Sequence, residues 1–361
     1  MPLLISHLVN VDSERKLEFS RVLFRINYNL GNSSTESNGI KLRSDFIKLL
    51  EQAYHQRKYG EAVNLGYEAV KECPDDSSAR NFLIKALIQE ERWQAAQDQL
   101  NDLFPTDELR NVHFLTGFML RKMGKAKLAI AEFLKSEQHG RKGVGIQREI
   151  AHCYIMLNDY PSARKHISNA LGFQPNNSHI IDMITKLEIK VGNEREAKEH
   201  LGKLELIDEP RHYNMRASAF NLKFGRPEEA LKFSELSITD GGSSFFAGRV
   251  QHIKTLIVLK RFDDARTEIS RLDIDWKNQK SDVKTALHCS LAIAENNYKM
   301  AYTMSNRFSI QSSDQAKGFK KKVCSALVKD VSIPFEERKK YQTELNSLSN
   351  VNEFDLVDIE G

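Results

Sequence analysis

Residues 58–76 read KYGEAVNLGYEAVKECPDD, an amphipathic helical stretch that opens on Tyr59 and stops at Pro74. The fold turns on whether this stretch recurs. Counting Ala62, an alanine set just behind a short turn and followed by an apolar helix face occurs at Ala62, Ala96, Ala129, Ala163, Ala197, Ala230, Ala265 and Ala301. The successive intervals are 34, 33, 34, 34, 33, 35 and 36 residues, a period that chance alanines would not hold.

The turns before these alanines read RKYGEA, ERWQAA, KMGKAKLA, LNDYPSA, VGNEREA, FGRPEEA, LKRFDDA and ENNYKMA. Gly, Asn, Asp and Pro gather there because one helix must stop and another start. Three residues ahead of the alanine stand Tyr59, Trp93, Tyr160, Phe262 and Tyr298, aromatics suited to wedge two helices apart at their joint. Behind the alanine the apolar spacing is helical, as in Ala129, Phe133 and Ser136 or Ala265, Ile269 and Leu272. Ahead of the turn runs another helix: IQREIAHCYIML predicts a buried face of Ile146, Ile150, Ala151, Tyr154 and Leu157, and RVQHIKTLIVLK one of Val250, Ile253, Leu256 and Ile257. Small residues twelve positions ahead, at Gly117, Ala151, Ser218 and Cys289, allow close helix crossing. Pro74 and Pro175, with Pro105 and Pro210 nearby, keep second helices from running on.

A helix-turn-helix unit of about 34 residues, with Ile150-Ala151-x2-Tyr154, Ala129-x3-Phe133 and the closing prolines Pro74 and Pro175, resembles the tetratricopeptide repeat (TPR) family. The resemblance covers residues 42–308, with a degenerate ninth hairpin through Leu348. It implies an all-α, right-handed α-solenoid of stacked antiparallel helix hairpins, a TPR-like superhelix. The expected organisation is an N-terminal extension and linker over 1–40, eight repeats over 41–310, terminal capping helices over 311–348 and an acidic tail over 349–361. The linker is GNSSTESNG, residues 31–39, and residues 17–30 fit a helical stripe or an alternating strand, with the capping residues Asp12 or Ser13 favouring helix.

Composition agrees with a folded helical chain: 361 residues, 40% hydrophobic, 28% charged, only 8 Pro. A formal net charge of +4 does not announce a nucleic-acid or membrane-surface protein. The expected location is cytoplasmic, since the N-terminal MPLLISHLVNVDSERK lacks a basic region before its short apolar run and no stretch could cross a bilayer. Cys73, Cys153, Cys289 and Cys324 are far apart, which suggests reduced thiols and neither a zinc site nor a disulfide framework.

No phosphate loop, H-E-x-x-H, G-x-S-x-G or dinucleotide fingerprint occurs, so neither an enzyme nor a cofactor is expected. His152-Cys153 and His288-Cys289 adjoin in sequence, yet helical neighbours point about 100° apart and do not make a nucleophile and base. Arg121 to Arg148 holds eight Lys or Arg against two acids, a candidate contact for an anionic partner that also fits a solvated ridge. Helical repeats can read single-stranded RNA, but no recurring base-reading residue is present, which makes nucleic acid the weaker alternative.

In the family resembled, first helices line a groove that receives a peptide or a partner helix. Counted back from the alanines, that implies candidate ligand-binding residues Asn81, Lys85, Asn111, Phe114, Phe118, Arg148, His152, His179, Asp182, Lys186, His212 and Lys254. Lys, Arg, Asn and His around two aromatics suit a protein or peptide partner with acidic groups and an apolar anchor. The leading expectation is a non-enzymatic scaffold or adaptor. A further alternative is the recognition or sensor arm of a larger enzyme or defence-type effector.

Overall fold

The computed structural model describes residues 47–72, 74, 76–103, 109–241, 245–275, 281–308, 314–351 and 356. The N-terminal extension, the linker and the helix-or-strand question over residues 17–30 lie outside them, as does most of the acidic tail. Every regular element among the described residues is a helix. After α1, helical over residues 47–55, come α2 (Tyr59–Glu72), α3 (Ser77–Gln89), α4 (Trp93–Leu103), α5 (Leu109–Lys122), α6 (Ala126–Gln138), α7 (Val144–Met156) and α8 (Tyr160–Phe173). Then follow α9 (Ser178–Val191), α10 (Glu194–Ile207), α11 (Pro210–Lys223), α12 (Pro227–Gly241), α13 (Phe246–Val258), α14 (Phe262–Asp275), α15 (Ser281–Ala294) and α16 (Tyr298–Ser305). The last two are α17 (Asp314–Lys329) and α18 (Phe335–Ser347). No described helix is long and apolar enough to cross a membrane.

The chain divides into two compact units, residues 1–170 and 171–361. Within unit 1, α3, α5 and α7 are first helices that pack in succession, each followed by its antiparallel second helix; within unit 2, α9, α11, α13 and α15 do the same. Consecutive second helices are not among the closely packed pairs, so the first helices form the continuous wall of each unit.

The joint inside each hairpin is the same eight times over. The residue five before the anchor alanine, at Arg57, Glu91, Gly124, Asn158, Gly192, Gly225, Lys260 and Asn296, has positive φ. That left-handed residue turns the chain, and the next N–H reaches back to close the last helical turn, as in Lys58 to Ala53 O, Arg92 to Leu87 O and Asn297 to Ala292 O. Each anchor alanine then donates its N–H to the residue four before it, starting the second helix, as Ala62 does to Lys58 O and Ala301 to Asn297 O. All eight alanines are fully buried, because a larger side chain at that point would hold the two helices apart. The five aromatics Tyr59, Trp93, Tyr160, Phe262 and Tyr298 each open a second helix.

Hydrophobic contacts fill the space between hairpins, with Leu83, Leu87, Leu115, Phe133 and Ile150 in one cluster and Val250, Ile253, Leu256, Ile269 and Leu272 in another. Ser136, predicted on a buried face, is buried as a tie: its Oγ donates to Arg110 O at 2.5 Å, and Ser237 repeats the bond to Arg211 O at 3.0 Å. Asp76 caps α3 through the N–H groups of Ser78 and Ala79, and Asn177 caps α9 through that of Ile180, each cap stabilising by about 1 kcal/mol. Leu157 departs from its predicted burial: it is the C-cap of α7, where the chain leaves the packed face, and it is exposed. The ninth hairpin also differs, since α17 and α18 are joined by residues 330–334, ending in Pro334, rather than by a joint of two or three residues.

Candidate functional site

The wall of unit 1 is built by α3, α5 and α7. On α3, Asn81 and Lys85 sit one helical turn apart and are half-buried. The Lys85 ammonium lies 4.8 Å from the centre of the Phe82 ring, which packs against Tyr54 of α1 at 5.9 Å. On α5, Phe114 and Phe118 are almost wholly buried; Phe114 meets Phe133 on one side and the Arg141 guanidinium, 3.7 Å from its centre, on another. Asn111, one turn earlier, accepts a hydrogen bond from Arg141 Nη1 at 2.8 Å. The two rings thus anchor the wall and seat a cation upon it.

Arg148 and His152 lie one turn apart on α7, half-buried, flanking Glu149, which is 2% exposed. Glu149 pairs with Arg121 Nε at 2.7 Å and with Arg148 Nη2 at 3.0 Å. Burial alone would raise its carboxyl pKa, but Arg121, Arg148 and His152 more than offset that and hold it below the ordinary value. Unit 1 therefore carries Asn81, Lys85, Asn111, Arg148 and His152 half-buried on three successive first helices, with Phe114 and Phe118 buried on the middle one.

Unit 2 holds the remaining candidates. Asp182 on α9 is clamped by Arg216 of α11 (Nε to Oδ1 2.6 Å, Nη2 to Oδ2 3.1 Å) and lies 3.3 Å from the Lys186 ammonium. Burial pushes its pKa up, but Arg216 first and then Lys186 override it and bring it down to about 2. Lys186 keeps nearly half its surface in solvent, His179 is exposed near the start of α9, and Lys254 is buried within the wall. His212 stacks edge-on against Phe245 at 5.1 Å and lies 3.5 Å from Asp208. Asp182 and Lys186 are thus the pair drawn together, while His212 is engaged by Phe245 and Asp208.

Arg216 and the pairing of Glu149 were not reached from sequence, and Arg121 and Arg141 were reached only as members of the basic segment 121–148. Two of them carried a signal: Arg216 stands 34 residues, one period, after Asp182 with opposite charge, and Arg141 occupies the position, twelve after Ala129, where other repeats carry Pro74 or Pro175. Reading each helix face separately misses partners one repeat apart.

No group of three or more His, Cys, Asp or Glu that could hold a metal occurs among the described residues. Cys153 and Cys289 are buried, which pushes each thiol pKa up to about 12, so neither supplies a thiolate near neutral pH. His152 and His288 beside them do not alter this; His288 instead bonds Asp273 through Nε2 at 2.9 Å.

No family model and no curated relative matches the chain. Solved structures do. The chain is similar to Cut9-Hcn1 of the APC/C hetero-tetramer, with a TM-score of 0.57 at 10% identity over 84% of this chain and 55% of that one, so it spans about half the length of that structure. It is similar to a Rap protein complexed with Competence and Sporulation Factor, with a TM-score of 0.56 at 10% identity over 86% of this chain and 98% of that one. It is also similar to the apo form of the quorum sensor NprR from B. thuringiensis, with a TM-score of 0.54 at 16% identity over 85% and 98%. At such identities the likeness is one of fold, and the fold is a TPR-like array of helical hairpins.

Proposed function

We propose that this protein is a non-enzymatic interaction module that binds an extended peptide or a partner helix along the first helices of unit 1. The observation that carries the reading is the run of first helices α3, α5 and α7, which pack in succession and carry the half-buried Asn81, Lys85, Asn111, Arg148 and His152 together with the buried Phe114 and Phe118. Amides and cations over packed rings suit main-chain carbonyls and acidic side chains of a ligand. Two of the similar structures are complexes, one of APC/C subunits and one of a Rap protein with Competence and Sporulation Factor, which supports reading an array of this kind as a binding platform. A role as the sensor arm of a larger protein is compatible with this reading, because the wall would serve it equally.

The test is selection of peptides from a random display library against the full chain, followed by titration of the enriched peptides. Asn81→Ala/His152→Ala is expected to weaken them by about tenfold, whereas Lys127→Ala, on the exposed side of the second helix α6, leaves them unchanged. Enrichment of no peptide, or equal weakening by both variants, overturns the reading. Circular dichroism of each variant separates lost binding from lost folding.

A further inference from the structure

Lys85 and Arg141 come from different elements of unit 1, and neither forms an ion pair among the described residues. What they have instead is soft: the Phe82 ring under Lys85, and for Arg141 the Phe114 ring and the Asn111 amide oxygen. By contrast Arg80 is paired with Asp102 at 3.2 Å, and Arg121 with Glu149 at 2.7 Å. Cations drawn into a protein are ordinarily matched by a carboxylate, since ring faces and a single amide return only about 1–3 kcal/mol of what desolvation costs.

The Arg141 charge also acts on Lys85. Burial lowers the Lys85 pKa and the Arg141 charge lowers it further, with Glu51 acting the opposite way and less strongly. Arg141 is lowered in turn by burial and then by Arg110. One turn before Lys85 on the same helix, the Asn81 carbonyl oxygen is buried and accepts no hydrogen bond among the described residues.

We propose that Lys85 and Arg141 form an anion-receiving subsite for a phosphate group carried by the bound peptide. A phosphorylated side chain has a charge of about −1.5 to −2 and three acceptor oxygens, which matches two positive charges, an ammonium and a guanidinium fork. A single carboxylate would neutralise only one of them. The Phe82 and Phe114 rings hold the two cations in place, and Arg141 has guanidinium N–H groups beyond the Nη1 donor given to Asn111. This rests on the reading that the unit 1 wall is the peptide site.

Two experiments on the full chain test the proposal. In the first, inorganic phosphate is titrated at constant ionic strength while the Lys85 ε-methylene resonance is followed by NMR, its assignment taken from Lys85→Arg. Phosphate is expected to shift the resonance saturably and succinate much less, and Arg141→Gln weakens the phosphate effect by about tenfold. Wild-type protein suffices for the main result, so a poorly folding variant does not leave the matter open. In the second, degenerate peptides with a fixed phosphoserine, a fixed serine or a fixed Asp-Asp pair compete for the chain, and the phosphoserine set is expected to be retained about fivefold over serine.

Phosphate binding without retention of any peptide set supports the subsite and removes the peptide reading. Peptides retained equally with and without phosphate keep the peptide reading and overturn the subsite. An Asp-Asp set retained as well as the phosphoserine set overturns it in favour of paired carboxylates. Random single-stranded RNA bound more tightly than the phosphoserine set, through the same two cations, overturns it in favour of nucleic acid.

Discussion

Single residues at the joints carry a tension between local preference and fold. Eight positions need a left-handed conformation, and glycine fills only Gly124, Gly192 and Gly225; Asn158 and Asn296 tolerate it, while Arg57, Glu91 and Lys260 adopt it against their preference. An L-residue with an ordinary side chain loses about 1 kcal/mol there. Arg57→Gly, Glu91→Gly and Lys260→Gly are each expected to raise stability by about 0.5–1 kcal/mol in urea unfolding, and Gly192→Ala to lower it by about 1 kcal/mol. Loss of stability in all three glycine variants would show that the unfolded-chain entropy of glycine outweighs the strain. The sequence disclosed these joints at Gly, Asn and Asp, whose turn preference is intrinsic. It concealed them at Arg57, Glu91 and Lys260, where the identical backbone bonds are imposed by the packing of the helices on either side.

Between elements, the tie from α9 to α11 is the sharpest case. Asp182 has its pKa held at about 2, below its ordinary 3.8, by Arg216 and Lys186. A depressed carboxyl contributes stability that is present above the ordinary value and lost as pH falls through the folded one. The contribution, about 2 kcal/mol, should therefore disappear between about pH 5 and pH 2. Asp182→Asn is expected to flatten that part of the pH dependence of urea unfolding; a profile as steep as that of the wild type would mean the clamp adds nothing. The helices themselves were legible, since apolar residues at three- and four-residue steps predict one buried face and α6, α13 and α14 bury it as predicted. Ion pairs between first helices were not, because spacing within a helix says which residues share a face and nothing about what the neighbouring repeat sets opposite them. The candidate wall was therefore located by counting, whereas the engagement of Asp182 and the burial of Lys254 needed coordinates.

Within each unit the pattern of contacts is local: hairpins pack on their neighbours in the chain. Stability in such an array is a sum of nearest-neighbour contributions. Leu272→Ala, in the core of unit 2, should cost about 2–5 kcal/mol there and leave hydrogen-exchange protection of α2 to α6 in unit 1 unchanged. Equal loss across both units would show one cooperative block instead. The period that disclosed the architecture has one more consequence, for where such a chain can lengthen. From left-handed residue to alanine the distance is five residues in every repeat, whereas alanine to alanine varies from 33 to 36. One added residue inside the five would rotate the second helix by about 100° and carry its alanine off the seam. The drift in repeat length falls between one alanine and the next left-handed residue, and within that span the connections between hairpins, such as residues 139–143 and 174–177, are the places where insertions, tags or new loops can enter without disturbing the joint.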